Sequence, residues 1–526
     1  MTNLKDLKDY LLEAQLKCAQ TKVTKDWSLK ELEKALKSMK NGKARDELGH
    51  TYELFKYGGK SLKISLLKLL NAIKIGQKYP TFLEKSNITS IWKRKGEKRD
   101  IDNKRGIFNV TKVRSILEKM IYNDIYDNID LNMSNSNIGA RKNRNIRDHL
   151  FVINAIVNDV INNKDTEDVD LQIYDIAKCF DKLEFTNTAT DLYTAGVRDD
   201  KFITITQSNK NCDIAIKTPW GKTPRFTLNN IEMQGTVLAG LKCSVSIDTI
   251  GKKALQNDHN ILYKYRNCTS IPPLSMIDDI IGVSKCSPSS IELCGTIKGK
   301  ISGKQLQLSE RKCHHLHIGK HHAKCSVLIL SDTKMQKSKS QRYLGDIISA
   351  NGKNDENIAD RFKRGIGLAT QITGILKEIS FGQFFFEQAL QLRNAKLVNG
   401  LLCSIEAMYG LTNNNIETLE KCDRFLFSKI FNCPISTPIE SFYLETATIP
   451  LRFVIIGRRL LFYWNILNKG KNELVKQVLL TQQISPVRND WCSTVNEDLR
   501  SLNIHINQNN IAEMKKTTFK NAVSCQ

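Results

Sequence analysis

Two short stretches decide the fold of this chain, LQIYDIAKCF at residues 171–180 and PPLSMIDDIIGVS at residues 272–284. In the first stretch, an apolar run with β-branched residues ends at Asp175. In the second, apolar runs flank the adjacent pair Asp278 and Asp279, which predicts a β-hairpin with both carboxylates at its turn. Both stretches therefore place acidic residues at the ends of apolar strands.

These carboxylates suit a metal-dependent reaction. Adjacent carboxylates repel each other and apolar neighbours oppose their ionisation, so a divalent cation would relieve both costs. Taken alone, the pair Asp278–Asp279 is more often an exposed turn, and Asp175 a strand-end cap. Two acidic strand ends about a hundred residues apart in one basic chain, however, are what two-metal phosphoryl transfer requires. Magnesium prefers oxygen ligands, and two or three carboxylates suffice for it.

The composition indicates a polyanionic partner. The 526 residues include 79 Lys and Arg against 55 Asp and Glu, a formal net charge of +24, and 41% are hydrophobic. The apolar fraction supports a folded core, and the charge favours nucleic acid over an anionic membrane or a merely soluble basic protein. We expect no membrane span, no signal peptide, and free thiols rather than disulfides among the 14 singly placed cysteines.

Helical patterns lie on both sides of the acidic strands. Upstream, Ser28 and Glu31 predict a capping box, and further helices are expected at 61–75, 112–128 and 149–162, with a strand and a basic turn at Gly96 between the first two. Downstream, an apolar stripe predicts a long helix. The basic residues Arg361, Lys363 and Arg364 lie mostly off this stripe. The stripe consists of Ile358, Phe362, Ile366, Ala369, Ile372 and Leu376. Helix is expected to continue to about Asn468, and the remaining residues are weakly patterned.

The order of motifs around these strands resembles the reverse transcriptases of non-LTR (LINE-type) retrotransposons. In chain order the motifs are DIAKCFD (175–181), MQGTVLAGLKCS (233–244), MIDD (276–279), KCHHLHIGK (312–320) and YLGDIISANG (343–352). Three further stretches resemble the family's fingers motif, the segment before its first catalytic strand, and its thumb region: residues 93–107, 144–157 and 443–464. The resemblance spans roughly residues 25–470, and its specificity comes from the order and spacing of motifs that are individually weak.

The resemblance implies an α+β right-hand polymerase with fingers, an antiparallel-sheet palm and a helical thumb. The implied boundaries are an N-terminal extension at 1–24, fingers at 25–165, a palm at 166–355 with a fingers insertion near 185–230, a thumb at 356–470, and a C-terminal extension without clear assignment at 471–526. We see no endonuclease ahead of the fingers and no zinc knuckle or nuclease after the thumb. If the chain belongs to a mobile element, we therefore expect a fragment, a truncated copy or a stand-alone polymerase, with a separate nuclease as a candidate partner.

The resemblance also assigns metal ligands. Asp175 matches the aspartate that binds both of two Mg²⁺ ions, for which Mn²⁺ could substitute. Asp278 matches a full ligand, and Asp279 a partial ligand or one just outside the coordination sphere. Phe180 matches an aromatic residue beneath the sugar, which would clash with a 2′-hydroxyl and so favour deoxynucleotides, although a lone Phe is more often a core residue. Ile277 departs from the aromatic residue or Ala that the family usually has there.

Other matches concern nucleotide and template binding. Gln234 and Gly235 begin the motif that packs against the template and the nascent pair, where Gly allows close approach. Val237 replaces the Pro that is common in this motif. Lys312 matches the lysine associated with the incoming triphosphate. In the fingers, Arg105 with Lys93 or Lys95 would also contact phosphates. Each of these side chains could instead be a solvated surface charge.

The function implied is an RNA-directed DNA polymerase that uses Mg²⁺, deoxynucleoside triphosphates, an RNA template and a DNA primer or target-site 3′-hydroxyl. An RNA-dependent RNA polymerase fits less well, because such enzymes commonly have Asp in place of Phe180 and Gly in place of Ile277. A catalytically decayed or maturase-like RNA-binding protein is the main alternative. A generic basic nucleic-acid-binding protein would explain the charge but not the ordered motifs. The sequence gives no localisation.

A dense group of metal-ligand residue types follows Lys312, namely Cys313, His314, His315, His317, His321, His322 and Cys325. The density suggests zinc, but the spacing fits no zinc knuckle or finger. The segment also falls on a predicted strand, whose alternation would point neighbouring side chains to opposite faces. We therefore favour a purely structural role for this stretch.

Overall fold

Helices and strands are mixed along the chain, which confirms the α+β prediction. The computed structural model describes residues 4–21, 25–76, 79–163, 165–229, 231–257, 261–319, 327–330, 333–378, 385–487, 489–504 and 508–524. Within these ranges, the helices are too short or too polar to cross a bilayer. The cysteines that the structure describes form no disulfide bonds.

The helices are α1 (Leu4–Ala19), α2 (Leu29–Ser38), α3 (Tyr52–Tyr57), α4 (Gly59–Gly76), α5 (Thr81–Glu84), α6 (Lys112–Asn132), α7 (Ile146–Asn162), α8 (Cys179–Lys182), α9 (Phe185–Thr194), α10 (Asp199–Ser208), α11 (Ala239–Asn257), α12 (Ser289–Gly303), α13 (Asp355–Lys377), α14 (Phe385–Leu392), α15 (Asn399–Leu401), α16 (Asn413–Ile430), α17 (Ile439–Thr446), α18 (Leu451–Leu467), α19 (Leu474–Ile484), α20 (Trp491–Ser501), α21 (Gln508–Glu513) and α22 (Lys516–Ser524).

The strands are β1 (Lys85–Trp92), β2 (Lys104–Val110), β3 (Val169–Asp175), β4 (Cys212–Thr218), β5 (Gly221–Lys222), β6 (Phe226–Leu228), β7 (Lys264–Tyr265), β8 (Thr269–Ser270), β9 (Leu274–Met276), β10 (Asp279–Lys285), β11 (His314–Ile318), β12 (Ile329–Leu330), β13 (Thr333–Lys334), β14 (Gln336–Lys337), β15 (Ser340–Tyr343) and β16 (Asp346–Ser349).

The N-terminal region combines helices with a small first sheet. The predicted capping box starts α2, where the Glu31 N–H donates to Ser28 Oγ at 3.3 Å and the Ser28 N–H donates to the Glu31 carboxylate at 2.7 Å. In the first sheet, β1 pairs antiparallel with β2 and parallel with β4. Strand β4 follows the first acidic strand in the chain, so the first sheet combines segments from both sides of β3.

The central sheet carries the acidic strands. Its order is β14–β11–β3–β10–β9, and β3 pairs antiparallel with both β10 and β11. Helices α11 and α12 pack on one face, where a Cβ at Gly282 of β10 would lie 3.0 Å from the Leu293 side chain. The other face packs Leu171 and Ile173 into a core shared with α7 and C-terminal helices. Helices thus cover both faces and leave the strand ends accessible.

The C-terminal region is helical, with two differences from the sequence analysis. The predicted apolar stripe of α13 is buried or half-buried, but Arg361, which we expected mostly off that stripe, is also buried. Residues 471–526, left without assignment, contain α19, α20, α21 and α22. Trp491 and Val478 from this segment belong to the same core as Leu171 of β3. The weak pattern reflects short helices, each of which contributes few apolar residues to that core.

Candidate active site

Three predicted carboxylates meet at one end of the central sheet. Asp175 is the last residue of β3 and Asp279 the first of β10, and the two are register partners on these antiparallel strands. Asp278 lies in the two-residue turn between β9 and β10. Register partners on one face have Cβ atoms about 5 Å apart. The arrangement therefore concentrates three acids within a small volume at this end of the sheet.

The backbone of the acidic turn is strained. Ile277, directly before Asp278, has φ of +58°, which is unusual for a β-branched residue. A close neighbour holds this turn in place, because a Cβ at Gly139 would lie 2.8 Å from the Ile277 backbone nitrogen and 2.8 Å from Ser244 Oγ. Strain of this kind persists where the surroundings fix the conformation, and it is common at functional sites.

The electrostatics of the cluster disfavour three full negative charges. Burial, together with the charges of Asp278 and Asp175, raises the pKa of Asp279 to about 6. Burial also raises the pKa of Asp278, with Asp175 acting in the same direction and Arg105 and Lys312 opposing it. Burial and mutual repulsion therefore outweigh the effect of the local cations on both pKa values.

Basic residues from two segments of the chain lie near the acids. Lys312, at the end of the short 3₁₀ turn Glu310–Lys312 before β11, places Nζ 3.1 Å from Asp175 Oδ2. The β1–β2 hairpin contacts the segment that follows Asp175, because Lys178 Nζ lies 2.8 Å from Asp102 Oδ1. Arg105 of this hairpin is close enough to lower the pKa of Asp278. Lys93 of the same hairpin donates to the Asp102 carbonyl at 2.8 Å, and Lys95 is exposed.

The predicted template motif lies against the first sheet. The Phe108 N–H of β2 donates to the Gln234 carbonyl at 2.9 Å. Gly235 has φ of +107°, and a Cβ there would lie 2.9 Å from Ile107 Cγ2 and 3.2 Å from the Phe108 carbonyl oxygen. Glycine is therefore required at this position, both by backbone conformation and by close packing. The motif thus contacts the same strand, β2, that carries Arg105.

Phe180 lies in the short helix α8, which begins four residues after Asp175. Its ring is half-buried and packs against the core between the central sheet and helices α11 and α12. Phe180 is thus neither a fully buried core residue nor a free surface residue.

Sequence reasoning missed Glu118, which positions the template motif. Its carboxylate accepts hydrogen bonds from the Val237 N–H at 2.9 Å and the Leu238 N–H at 3.4 Å. Glu118 is buried on α6 and pairs with Arg114 at 2.9 Å. The sequence contained a signal for this role. Arg114 and Glu118 are four residues apart on a predicted helix whose face around them is otherwise apolar, and this spacing indicates a buried pair.

The acidic cluster should make the metal-free protein less stable as the pH rises. Because the pKa of Asp279 is raised from 3.8 to about 6, its stabilising contribution is present below pH 3.8 and is lost as the pH rises through about 6. With chelator present, we expect Asp279→Asn to be more stable than wild type by about 1–2 kcal/mol at pH 7, a value reduced for solvent screening.

Thermal unfolding of both proteins, followed by circular dichroism from about pH 4 to 7, checks this expectation. The difference between them should shrink towards pH 4, and adding Mg²⁺ should stabilise wild type more than the variant. Parallel stability curves across this range would contradict the raised pKa of Asp279.

Comparisons with known proteins assign the chain to no family. No family model matches the sequence, and neither does any curated protein. Among solved structures, the chain is similar to an apo telomerase from Candida tropicalis truncated from its C-terminal domain, with 14% sequence identity and a TM-score of 0.35. The match covers 52% of this chain and 55% of that chain, so this chain spans about half the length of the structure that it matches.

Proposed function

We propose that this chain is an RNA-directed DNA polymerase of the non-LTR retrotransposon type, with Asp175, Asp278 and Asp279 as its metal ligands. The observation that carries the proposal is the meeting of these three carboxylates, from segments about a hundred residues apart, at one end of the central sheet. An ordinary surface turn would need neither the Asp279–Asp175 register nor a pKa of Asp279 near 6.

The donor set fits magnesium. All three side chains offer oxygen atoms, which Mg²⁺ prefers, and a bound cation would relieve the repulsion that, after burial, contributes to the raised pKa of Asp279. When bound, two Mg²⁺ ions would activate the attacking 3′-hydroxyl and neutralise the triphosphate and the departing pyrophosphate. Lys312 and Arg105 would bind phosphate oxygens beside them, and the Gln234–Gly235 backbone would support the nascent pair.

The overall arrangement is compatible with a right hand. The helices and first sheet of 25–165, joined by strands from 185–230, would serve as fingers, and the central sheet of 166–355 as the palm. Helices of 356–470 would serve as the thumb. With a net charge of +24, these parts would hold backbone phosphates of an RNA template and a DNA primer independently of sequence. The 2′-hydroxyls and A-form geometry would mark the RNA strand.

Primer extension on an RNA template with Mg²⁺ tests the proposal. Wild type is compared with Asp278→Ala plus Asp279→Ala, and dNTPs are compared with NTPs. We expect extension with dNTPs that disappears in the double variant and in chelator. A folded wild type that binds RNA but extends no primer would overturn the proposal in favour of the decayed or maturase-like RNA-binding alternative. Extension with NTPs alone would favour an RNA polymerase.

Replacing Phe180 by Ala should weaken discrimination against ribonucleotides. In the proposal its half-buried ring lies beneath the sugar, where a 2′-hydroxyl would overpack the site at a cost of about 1–3 kcal/mol. We therefore expect the ratio of NTP to dNTP incorporation to rise about 10- to 100-fold, as measured by single-nucleotide extension. Phe226→Ala, a change at an exposed phenylalanine of β6, is the matched control. An unchanged ratio in an active Phe180→Ala protein would remove Phe180 from the nucleotide site.

A further inference from the structure

A second cluster of metal-ligand atoms lies at the other end of the central sheet. Asp170 of β3 is the register partner of His317 of β11, and Cys286 directly follows β10. His317 Nδ1 lies 3.0 Å from Asp170 Oδ1 and 3.3 Å from Cys286 Sγ, and the sulfur lies 3.6 Å from Asp170 Oδ1. Asp170 and His317 are buried and Cys286 is half-buried.

The two distances to Cys286 Sγ match the edges of a tetrahedral zinc site, and the 3.0 Å between His317 Nδ1 and Asp170 Oδ1 is a few tenths of an ångström shorter than such an edge. Zinc bonds of about 2.0–2.3 Å to oxygen, nitrogen and sulfur place neighbouring ligand atoms about 3.3–3.6 Å apart. Magnesium and calcium are excluded as preferred ions, because they take oxygen ligands. A thiolate, an imidazole and a carboxylate together instead suit zinc or a similar transition metal.

Outer contacts of the cluster also fit a metal centre. The second ring nitrogen of His317, Nε2, lies 3.5 Å from Asp168 Oδ2, which places a carboxylate on the side of the ring where one would orient a metal-binding histidine. Gly319 makes room for this acid, since a Cβ there would lie 2.0 Å from Asp168 Oδ1. His315 Nε2 lies 2.9 Å from Asp170 Oδ1 and would hold the carboxylate in position.

We propose that Asp170, Cys286 and His317 bind one Zn²⁺ ion, with water at the fourth position. The site would join the three central strands β3, β10 and β11, and thiol deprotonation on binding would release a proton to solvent. This proposal departs from our expectation of a purely structural role for His317 within the stretch 313–325. His321, His322 and Cys325 of that stretch lie outside the described residues.

A metal-free network of buried hydrogen bonds is the competing explanation. Burial would raise the pKa of Asp170, but His315 and His317 outweigh it and hold this pKa at about 2, so the carboxylate is ionised in either case. In such a network Cys286 stays a protonated thiol within hydrogen-bond distance of Asp170 Oδ1 and His317 Nδ1, whereas zinc binding requires the thiolate. The thiol therefore separates the two explanations experimentally.

The site is independent of the proposed polymerase centre. Asp170 and Asp175 are five residues apart on one strand, which places them about 17 Å apart and on opposite faces of the sheet. A failure of one proposal would leave the other untouched. Asp175→Asn protein should accordingly bind zinc as wild type does.

Metal analysis of the full chain tests the proposal. Protein stripped with chelator and then dialysed against Zn²⁺ is expected to retain one ion per chain by elemental analysis and to unfold at a higher temperature. Replacement with Co²⁺ should give the ultraviolet thiolate-to-cobalt charge-transfer band and the visible bands of a tetrahedral ion. No retained zinc, or bound cobalt without the thiolate band, would overturn the proposal.

Two variants assign the ligand atoms. Cys286→Ser should abolish the charge-transfer band and weaken zinc affinity about 100-fold or more, and Asp168→Asn should weaken it about 10- to 100-fold. Cys268→Ser, a change at an exposed cysteine, is the matched control and should alter neither reading. If Cys286→Ser keeps the zinc affinity and the charge-transfer band of wild type, the ligands lie elsewhere and the proposal is wrong. The proposal is also wrong if Cys268→Ser loses affinity and band to the same extent as Cys286→Ser.

Discussion

Asp175→Asn protein is expected to fold and bind RNA like wild type, yet to incorporate nucleotides at least about 10³-fold more slowly. This loss exceeds the effect of removing an outer contact, which typically costs about 10- to 100-fold, because the proposal makes Asp175 the carboxylate shared by both ions. The amide preserves the shape of the side chain but removes its charge. Single-turnover primer extension at saturating dNTP and Mg²⁺ measures the effect.

Stability should change little in this variant. The Lys312 contact with Asp175 is largely exposed, at 64% for the lysine side chain, and such pairs contribute at most about 1 kcal/mol. Loss of one acid also relieves repulsion on Asp278 and Asp279, in the opposite direction. Asp127→Asn, on a carboxylate that is 90% exposed in α6, controls for the charge change itself. Near wild-type extension by the Asp175→Asn protein would remove Asp175 from the catalytic centre.

The acidic strand ends could be predicted from sequence because their determinants are local. Short apolar runs define β3, β9 and β10, and the acids interrupt them at the points where the strands end or begin. The capping box of α2 is local in the same sense, since Ser28 and Glu31 are three residues apart. Once β3 and β10 are both taken as central strands of one sheet, their pairing can be inferred.

Long-range polar contacts could not be predicted in this way. Periodicity assigns charged residues to solvent, so it gave no reason to bury Arg361, or to bring Cys286 beside Asp170 and His317 across three strands. The parallel pairing of β1 with β4 joins segments more than a hundred residues apart, and neither strand's pattern names its partner. Each of these depends on tertiary packing, which single-segment patterns do not encode.

Arg361→Met is expected to destabilise the protein by about 3–5 kcal/mol, the cost typical of leaving a buried ionic partner alone. Arg361 is 1% exposed. It forms a salt bridge with Asp346 of β16 and donates to the carbonyls of Leu401 and Cys403, each at 2.7 Å. Burial already raises the pKa of Asp346 despite the arginine, so its unpaired carboxylate would be costly. Urea unfolding with the linear extrapolation gives the free-energy difference.

Arg364→Met, one helical turn along α13, is the matched control. Arg364 is 43% exposed and pairs with Asp360 at 2.9 Å, so its loss should cost less than about 1 kcal/mol. Adding Asp346→Asn to Arg361→Met should recover part of the lost stability, because the buried charge disappears, and the double-mutant cycle isolates this coupling. Equal costs for the two methionine variants would contradict the buried role of Arg361. The expected difference would show that the Arg361–Asp346 pair holds helix α13 against the β15–β16 hairpin. The same hairpin contacts α7, where the Tyr343 hydroxyl lies 3.1 Å from His149 Nδ1.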